Sequence, residues 1–209
     1  MTEAVAIQLD ARVREAAFKV LREHGWDGLT LERVAEASGR ARSTLWRQRL
    51  SRETLVEALL GELADDFRST MYPVLTVPGS GRDRLARGLE ALCEVVERHL
   101  PLLLATDEAF HQAAPGGPDS YLDPFVHFLR EGAEDGSIPL GDGDPTDAAD
   151  VAFNAVAWTY THLRGRHGWP APKARTQVVG LVLDGIADPS QRRRDEHDDP
   201  ALPRAARPA

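Results

Sequence analysis

The chain has 209 residues, 42% of them hydrophobic, and a formal charge of −8. That length and apolar content suit one large domain or two small ones, and the single cysteine, Cys93, excludes an intrachain disulfide and argues against a Cys-built zinc site. No apolar run approaches the roughly 18–20 residues that span a bilayer. The opening MTEAVAIQLD has no basic start followed by an apolar stretch, so the expectation is a cytoplasmic protein with no membrane partner.

The charge is unevenly spread. Met1–Leu60 holds 10 basic and 9 acidic residues; the remainder holds 15 and 24. Within the first part, Arg40, Arg42, Arg47, Arg49 and Arg52 fall in thirteen residues without an acid. Phosphates are felt within about a Debye length, ~8–10 Å, so a local basic patch on an acidic body serves a DNA reader. The acidic remainder would repel DNA and favour one docking orientation.

Every periodic segment reads as a helix, which predicts an all-α fold. Residues 10–24 carry Val13, Ala16, Ala17, Val20 and Leu21 on one stripe, and Gly25 stops them. Thr30 suits the N-cap of a short helix over 31–38. Gly39-Arg40-Ala41 breaks the chain, and a second short helix follows over 42–49. Ser51 caps a long helix with Leu55, Leu59, Leu63 and Phe67 on one side, which Pro73 is expected to end. Residues 73–81 read as a connection. Further helices are expected over 83–99, 102–112, 121–135, 145–164 and 173–186, with loops at 113–119 and 137–144. From residue 189 the chain is charged, Pro-rich and aperiodic, a disordered tail by composition.

Two short helices joined by a tight Gly-containing turn make a helix-turn-helix. The second helix of such a pair enters the major groove, and its first residues meet base edges. Arg42 and Arg47 can grip phosphate or guanine. Ser43 and Thr44 are short hydrogen-bonders, and Trp46 offers a flat face with one N–H. Helix N-termini at Leu31 and Arg52 can hold phosphates through free N–H groups.

Val13–Leu55, VREAAFKVLREHGWDGLTLERVAEASGRARSTLWRQRLSRETL, resembles the TetR family of bacterial transcription regulators. The resemblance rests on Ala17, Gly25, Thr30, Ala35, Gly39, Thr44-Leu45-Trp46 and Ser51-Arg52-Glu53, in order and spacing. It covers about a fifth of the chain. It implies a three-helix DNA-binding domain over 8–52, a helical ligand-binding and dimerisation domain over 53–188, and a homodimer on a palindromic double-stranded DNA operator. It also implies repression released by a small-molecule effector. On this reading Thr30, Arg40, Arg42, Ser43, Thr44, Trp46, Arg47, Gln48 and Arg52 face DNA. Arg40, Ala41, Trp46, Arg49 and Arg52 depart from the usual apolar residue, Ser cap, Tyr, core Phe and Lys. Losing the cap at Ala41 costs on the order of 1 kcal/mol, and Leu50 stands one residue from the missing phenylalanine.

An apolar pocket with a few polar groups is what a small-ligand site looks like. His99, Phe110, Tyr121, Phe125, Phe128, Asn154 and Trp158 are the expected lining. The small-residue helix over 145–164 and the broadly apolar one over 173–186 are expected to pair with their copies, since exposing the latter on a monomer is costly. Other features carry less. Gly141-Asp142-Gly143-Asp144 lacks the ligands and distal Glu of a calcium loop. The histidines lack metal-site spacing, and Arg192-Arg193-Arg194 is neutralised by Asp195, Glu196, Asp198 and Asp199. No catalytic or nucleotide fingerprint is visible, so neither an enzyme nor a cofactor is expected. The competing reading is a helical ligand-binding or protein-interaction module whose DNA-reading surface has decayed.

Overall fold

The computed structural model describes residues 9–106 and 120–187. Phe110, the loop 113–119 and the tail 189–209 lie outside the described residues. Among the described residues every regular element is an α-helix. In chain order they are α1 (Ala11–His24), α2 (Leu31–Ser38), α3 (Arg42–Arg47), α4 (Arg52–Leu75), α5 (Gly81–Arg98), α6 (Leu100–Ala105), α7 (Asp123–Glu134), α8 (Pro145–Gly165) and α9 (Ala171–Ala187).

The caps explain most boundaries. The Asp10 carboxylate accepts from the backbone N–H of Arg12 and Val13, and Gly25 at φ 67° ends α1. Thr30 accepts from Arg33 N–H and Gly39, left-handed at φ 67°, ends α2. Ser51 and Thr54 cap each other's backbone at the start of α4, as Ser80 and Asp83 do for α5. Asp144 caps α8, with Pro145 as its first residue.

Several boundaries differ from expectation, among them those of α4, α5 and α3. Pro73 does not end α4, which runs to Leu75. Proline forfeits one hydrogen bond there, but its φ suits a helix and Met71 and Val74 on either side are buried. α5 starts at Gly81, earlier than periodicity placed it, because its first N–H groups find partners across the fold. Gly81 N–H donates to Asp135 Oδ2 at 2.7 Å and Arg82 N–H to Ser137 Oγ at 3.1 Å. α3 ends at Arg47, and Arg49 sits at φ 59°, an unusual geometry for a side chain with a Cβ.

α1–α3 form a small head around Val13, Ala17, Val20, Leu21, Val34 and Leu45, all buried. Leu50, 4% exposed, also enters this core, taking the packing role that Arg49 cannot. α4 leads from the head into the body. There α5 is central and packs against α4, α7, α8 and α9. Its approach to α7 is close: a Cβ at Gly81 would lie 2.1 Å from Gly132 N, and one at Gly88 would lie 2.9 Å from the Phe128 ring. Phe67, Tyr121, Phe125, Phe128 and Phe153 make a continuous aromatic cluster, with Phe67–Tyr121 centroids 4.9 Å apart and Phe125–Phe153 5.7 Å apart. Glu97 on α5 receives Arg164 Nε at 2.7 Å, Arg164 Nη2 at 2.6 Å and Tyr160 O–H at 3.0 Å from α8. This bidentate pair locks α5 to α8, and the Arg164 hydrogen bonds hold the Glu97 carboxyl below its ordinary range.

Candidate nucleic-acid interface

The joint between α2 and α3 is set by backbone. Gly39 N–H donates to Glu36 O at 3.1 Å and Arg40 N–H reaches back to Ala35 O at 3.0 Å, closing the end of α2. Ala41 then begins α3 with no side-chain cap. The cap is replaced only by the chain itself: Thr44 N–H lies 2.8 Å from Ala41 O.

One side chain orients α3. Leu45 is fully buried, pinning the helix to the head, so the opposite face is turned outward. Arg42, Ser43, Trp46, Arg47 and Gln48 are exposed there, and Thr44 is half-buried. Trp46 is 74% exposed. Simple packing therefore does not account for it, and a large aromatic left in water beside arginines is what a macromolecular contact surface presents.

The cations are not equally available. Arg42 Nη2 meets Glu32 Oε1 at 2.7 Å, with both side chains more than half exposed. Such a pair is worth about 0–1 kcal/mol, so a phosphate can displace the carboxylate. Arg47 makes long bonds to Ser43 O (3.3 Å) and Thr44 Oγ1 (3.4 Å) and lies in the open. Arg40 Nη2 reaches Asp10 Oδ2 at 2.9 Å and ties the turn to the start of α1. Arg52 turns inward: Nε donates to Leu29 O at 3.0 Å, Nη2 to Trp26 O at 3.2 Å, and the guanidinium lies 5.3 Å from the Trp26 ring centre. It joins the start of α4 to the α1–α2 connection. Thr30 is half-buried, and its hydroxyl is used by the α2 cap.

Of the residues expected to line an effector pocket, the described ones do not form one group. Tyr121, Phe125 and Phe128 come together, but with Phe67 and Phe153, and Phe125 and Phe128 are fully buried. Asn154 and Trp158 lie a turn apart on α8, where Trp158 Nε1–H donates to Asn154 Oδ1 at 3.0 Å and the Asn154 amide donates to Asp150. His99 is elsewhere, at the α5–α6 junction, bonded to Asp66 of α4 and edge-on to Phe18 of α1. Sequence reading missed Phe67 and Phe153 as neighbours of the cluster. It also missed the inward turn of Arg52, which no local pattern announces.

Residues 13–59 match the family model described as bacterial regulatory proteins, tetR family. The head is a tetR-family helix-turn-helix. No curated protein matches the sequence. Solved structures similar over most of the chain include TetR-family regulators. The TetR-family regulator PfmR from Thermus thermophilus is 19% identical with a TM-score of 0.70, covering 86% of this chain and 100% of its own. A putative TetR-family regulator from Rhodococcus sp. is 22% identical with a TM-score of 0.66, covering 85% and 97%. The regulator FadR from Bacillus subtilis, solved with stearoyl-CoA, is 17% identical with a TM-score of 0.65, covering 84% and 98%. Behind the tetR-type head, the helical body has the second-domain fold of these regulators. No described helix is long and apolar enough to cross a membrane.

Proposed function

We propose that the chain is a ligand-responsive transcription regulator that binds a palindromic operator as a homodimer and is released by a small molecule. The observation that carries this reading is the outward face of α3: Arg42, Ser43, Trp46 and Arg47 exposed together, with Gln48 just past its end, on a helix whose only buried anchor is Leu45. A helix of this size enters a major groove about 12 Å wide. Arg42 and Arg47 would meet phosphate or guanine, and Thr30 and Thr44 the backbone. Arg40 and Arg52 would act from behind, holding the turn and α4 in place. We take residues 8–52 as the DNA-binding domain and 53–188 as the ligand-binding and dimerisation domain.

The homodimer is supported by the outer face of α8 and α9. Val151 is 71% and Leu181 76% exposed, with Val182, Leu183 and Ile186 half-buried beside them. Such an apolar face is costly in water, and a second copy would cover it around a two-fold axis. The effector would enter the body near Tyr121, Phe125 and Phe128. Because these rings are packed against one another, it would have to displace them, and an apolar ligand is favoured. The stearoyl-CoA complex of the Bacillus subtilis neighbour makes a long-chain acyl-CoA the first compound to try.

The test is a fluorescence-anisotropy titration against DNA flanking the chain's own gene, at several salt concentrations. Tight, selective binding that weakens steeply with salt is expected. Weak, unselective binding there and no sequence enriched from random DNA would support the second reading, a module with a decayed DNA surface. The pairing of Arg40 with Asp10 and Arg42 with Glu32, and the missing cap at Ala41, favour that second reading.

A further inference from the structure

Between α1 of the head and α4–α6 of the body lies a cleft of about 720 Å³, lined by Phe18, Arg14, Glu62, Asp66 and His99 among others. It is separate from the α3 surface and from the aromatic cluster. Glu62 and Asp66 are four residues apart on α4, so they share one face, separated by about 6 Å along the axis.

Asp66 is already engaged through one oxygen. Its Oδ2 accepts from Arg98 Nε at 2.7 Å and from His99 Nε2 at 3.0 Å. That second bond fixes the histidine. A neutral imidazole that donates from Nε2 leaves Nδ1 as a bare lone pair, and burial holds the ring neutral by pushing its pKa down against the pull of Asp66. His99 is only 6% exposed, and its Nδ1 is buried with no hydrogen-bond partner. Glu62 Oε2 is in the same condition: Arg14 Nη1 stands 3.7 Å away, too far for a hydrogen bond. No other described side-chain nitrogen or oxygen is buried without a partner. Both of these atoms belong to residues lining one cleft, and both are acceptors.

Orphaned buried acceptors cost free energy, and native folds rarely leave them unmet. The missing complement is a group with several N–H donors. Charge agrees with this. The cleft's acids are Glu15, Glu62, Asp65 and Asp66, against Arg14, Arg22 and Arg98. Phe18 supplies an apolar wall suited to the body of a ligand, and its ring favours a cation above it. Three or more carboxylate and imidazole groups placed to hold a metal ion do not occur among the described residues.

We propose that this cleft is a ligand site for a small organic cation, an amidinium or primary ammonium on an apolar body, whose N–H groups donate to Glu62 Oε2 and His99 Nδ1. Such a ligand would bridge head and body.

The test is calorimetric titration of the full-length protein at neutral pH with three probes of one shape: benzamidine, neutral benzamide and anionic benzoate. Benzamidine is expected to bind once per chain, and the other two at least about tenfold more weakly, a difference of one charge–hydrogen-bond set. Glu62→Gln, checked for folding by circular dichroism, is expected to weaken benzamidine at least about tenfold. The inference is overturned if benzamidine shows no heat up to about 10 mM, if benzoate or benzamide matches it, or if folded E62Q binds it as wild type does. Should E62Q fail to fold, the probe series on wild-type protein decides alone. None of these readouts involves DNA, so the result stands apart from the proposed operator binding.

Discussion

Gly81→Ala and Gly61→Ala should move stability in opposite directions, though both place alanine in a helix. By helix propensity alone each would be neutral or favourable, since glycine in a helix interior costs about 0.5–1 kcal/mol relative to alanine. Gly61 lies in α4 with nothing within 4 Å of an added Cβ. It should show that gain in full, raising Tm by about 2–4 °C per kcal/mol for a chain of this length. At Gly81 the same Cβ would lie 2.1 Å from Gly132 N and 2.4 Å from its Cα. Ordinary contact begins near 3.4 Å, so α5 and α7 must part by about 1.3 Å. The neighbour is backbone and cannot swing aside. Parting the helices also stretches the Gly81–Asp135 and Arg82–Ser137 bonds and the 2.8 Å Arg84–Glu131 pair. Overpacking of this kind costs about 1–3 kcal/mol. Urea unfolding followed at 222 nm, at one fixed protein concentration because association shifts the midpoint, reads both variants. If G81A unfolds at or above the wild-type midpoint while G61A gains, the close α5–α7 approach is not what holds the body together.

Four further outcomes follow from the same contacts. Arg47→Ala should weaken operator binding by about 1–3 kcal/mol if it meets a base edge, or lower the salt slope by about 1 if it meets phosphate; unchanged anisotropy curves across salt would remove α3 from the groove. Arg52→Lys should lower the thermal midpoint, because one ammonium cannot serve the carbonyls of both Leu29 and Trp26 as the guanidinium does; a wild-type melt would show that the inward turn contributes nothing. His99 has a folded pKa below its unfolded value near 6.5, so the unfolded chain takes up more protons between the two values. Stability on its account should therefore be full above about pH 6.5 and fall as pH drops through that window, and His99→Gln should flatten this part of the urea midpoint profile. Leu181→Glu places a charge on the exposed apolar face of α9; if the proposed homodimer forms through this face, sedimentation should show dimer for wild type and monomer for the variant, and a variant that still dimerises would move the interface elsewhere.

The head was legible in the sequence because its boundaries are local. Thr30 and Gly39 bracket α2 with side-chain and backbone geometry that each residue carries by itself, and the expected 31–38 is the helix observed. Ser51 is equally self-contained. Leu50 could be anticipated in the core because the helix had lost its usual aromatic at Arg49. The body was legible as helices but not as contacts. Nothing near Gly81 in the chain says that Gly132 lies against it, so the early start of α5 was invisible. The same holds for Pro73, whose helix continues because buried Met71 and Val74 flank it, a tertiary reason overriding a local one. Among the interface residues, type was readable and direction was not. Arg40 and Arg52 belong to the same basic run as Arg47, yet Asp10 holds one to the start of α1 and the carbonyls of Trp26 and Leu29 hold the other.

The joint between head and body is built differently from either part, and this bears on how a switch could work. α4 is fixed at its start by Arg52 and at its end by Phe67, Met71 and Val74, all buried. Across the body, Glu97 and Arg164 make a bidentate pair. Where α1 meets the body it packs on α6, and its polar and aromatic contacts are slight by comparison: an Arg14–Glu62 approach at 3.7 Å and the edge of Phe18 on His99 at 6.0 Å. Half-exposed ion pairs contribute about 0–1 kcal/mol and an aromatic pair about 0.5–1.5 kcal/mol. These two contacts together supply a few kcal/mol at most, the same scale as the ~1–3 kcal/mol that couples two sites in an allosteric protein. Head and body nevertheless share one continuous buried core, from Val13 through Leu55 and Leu59 to Val179. Under the proposed ligand-responsive function, a tilt of α4 would therefore have to shift the α1–α6 packing as well as these two contacts.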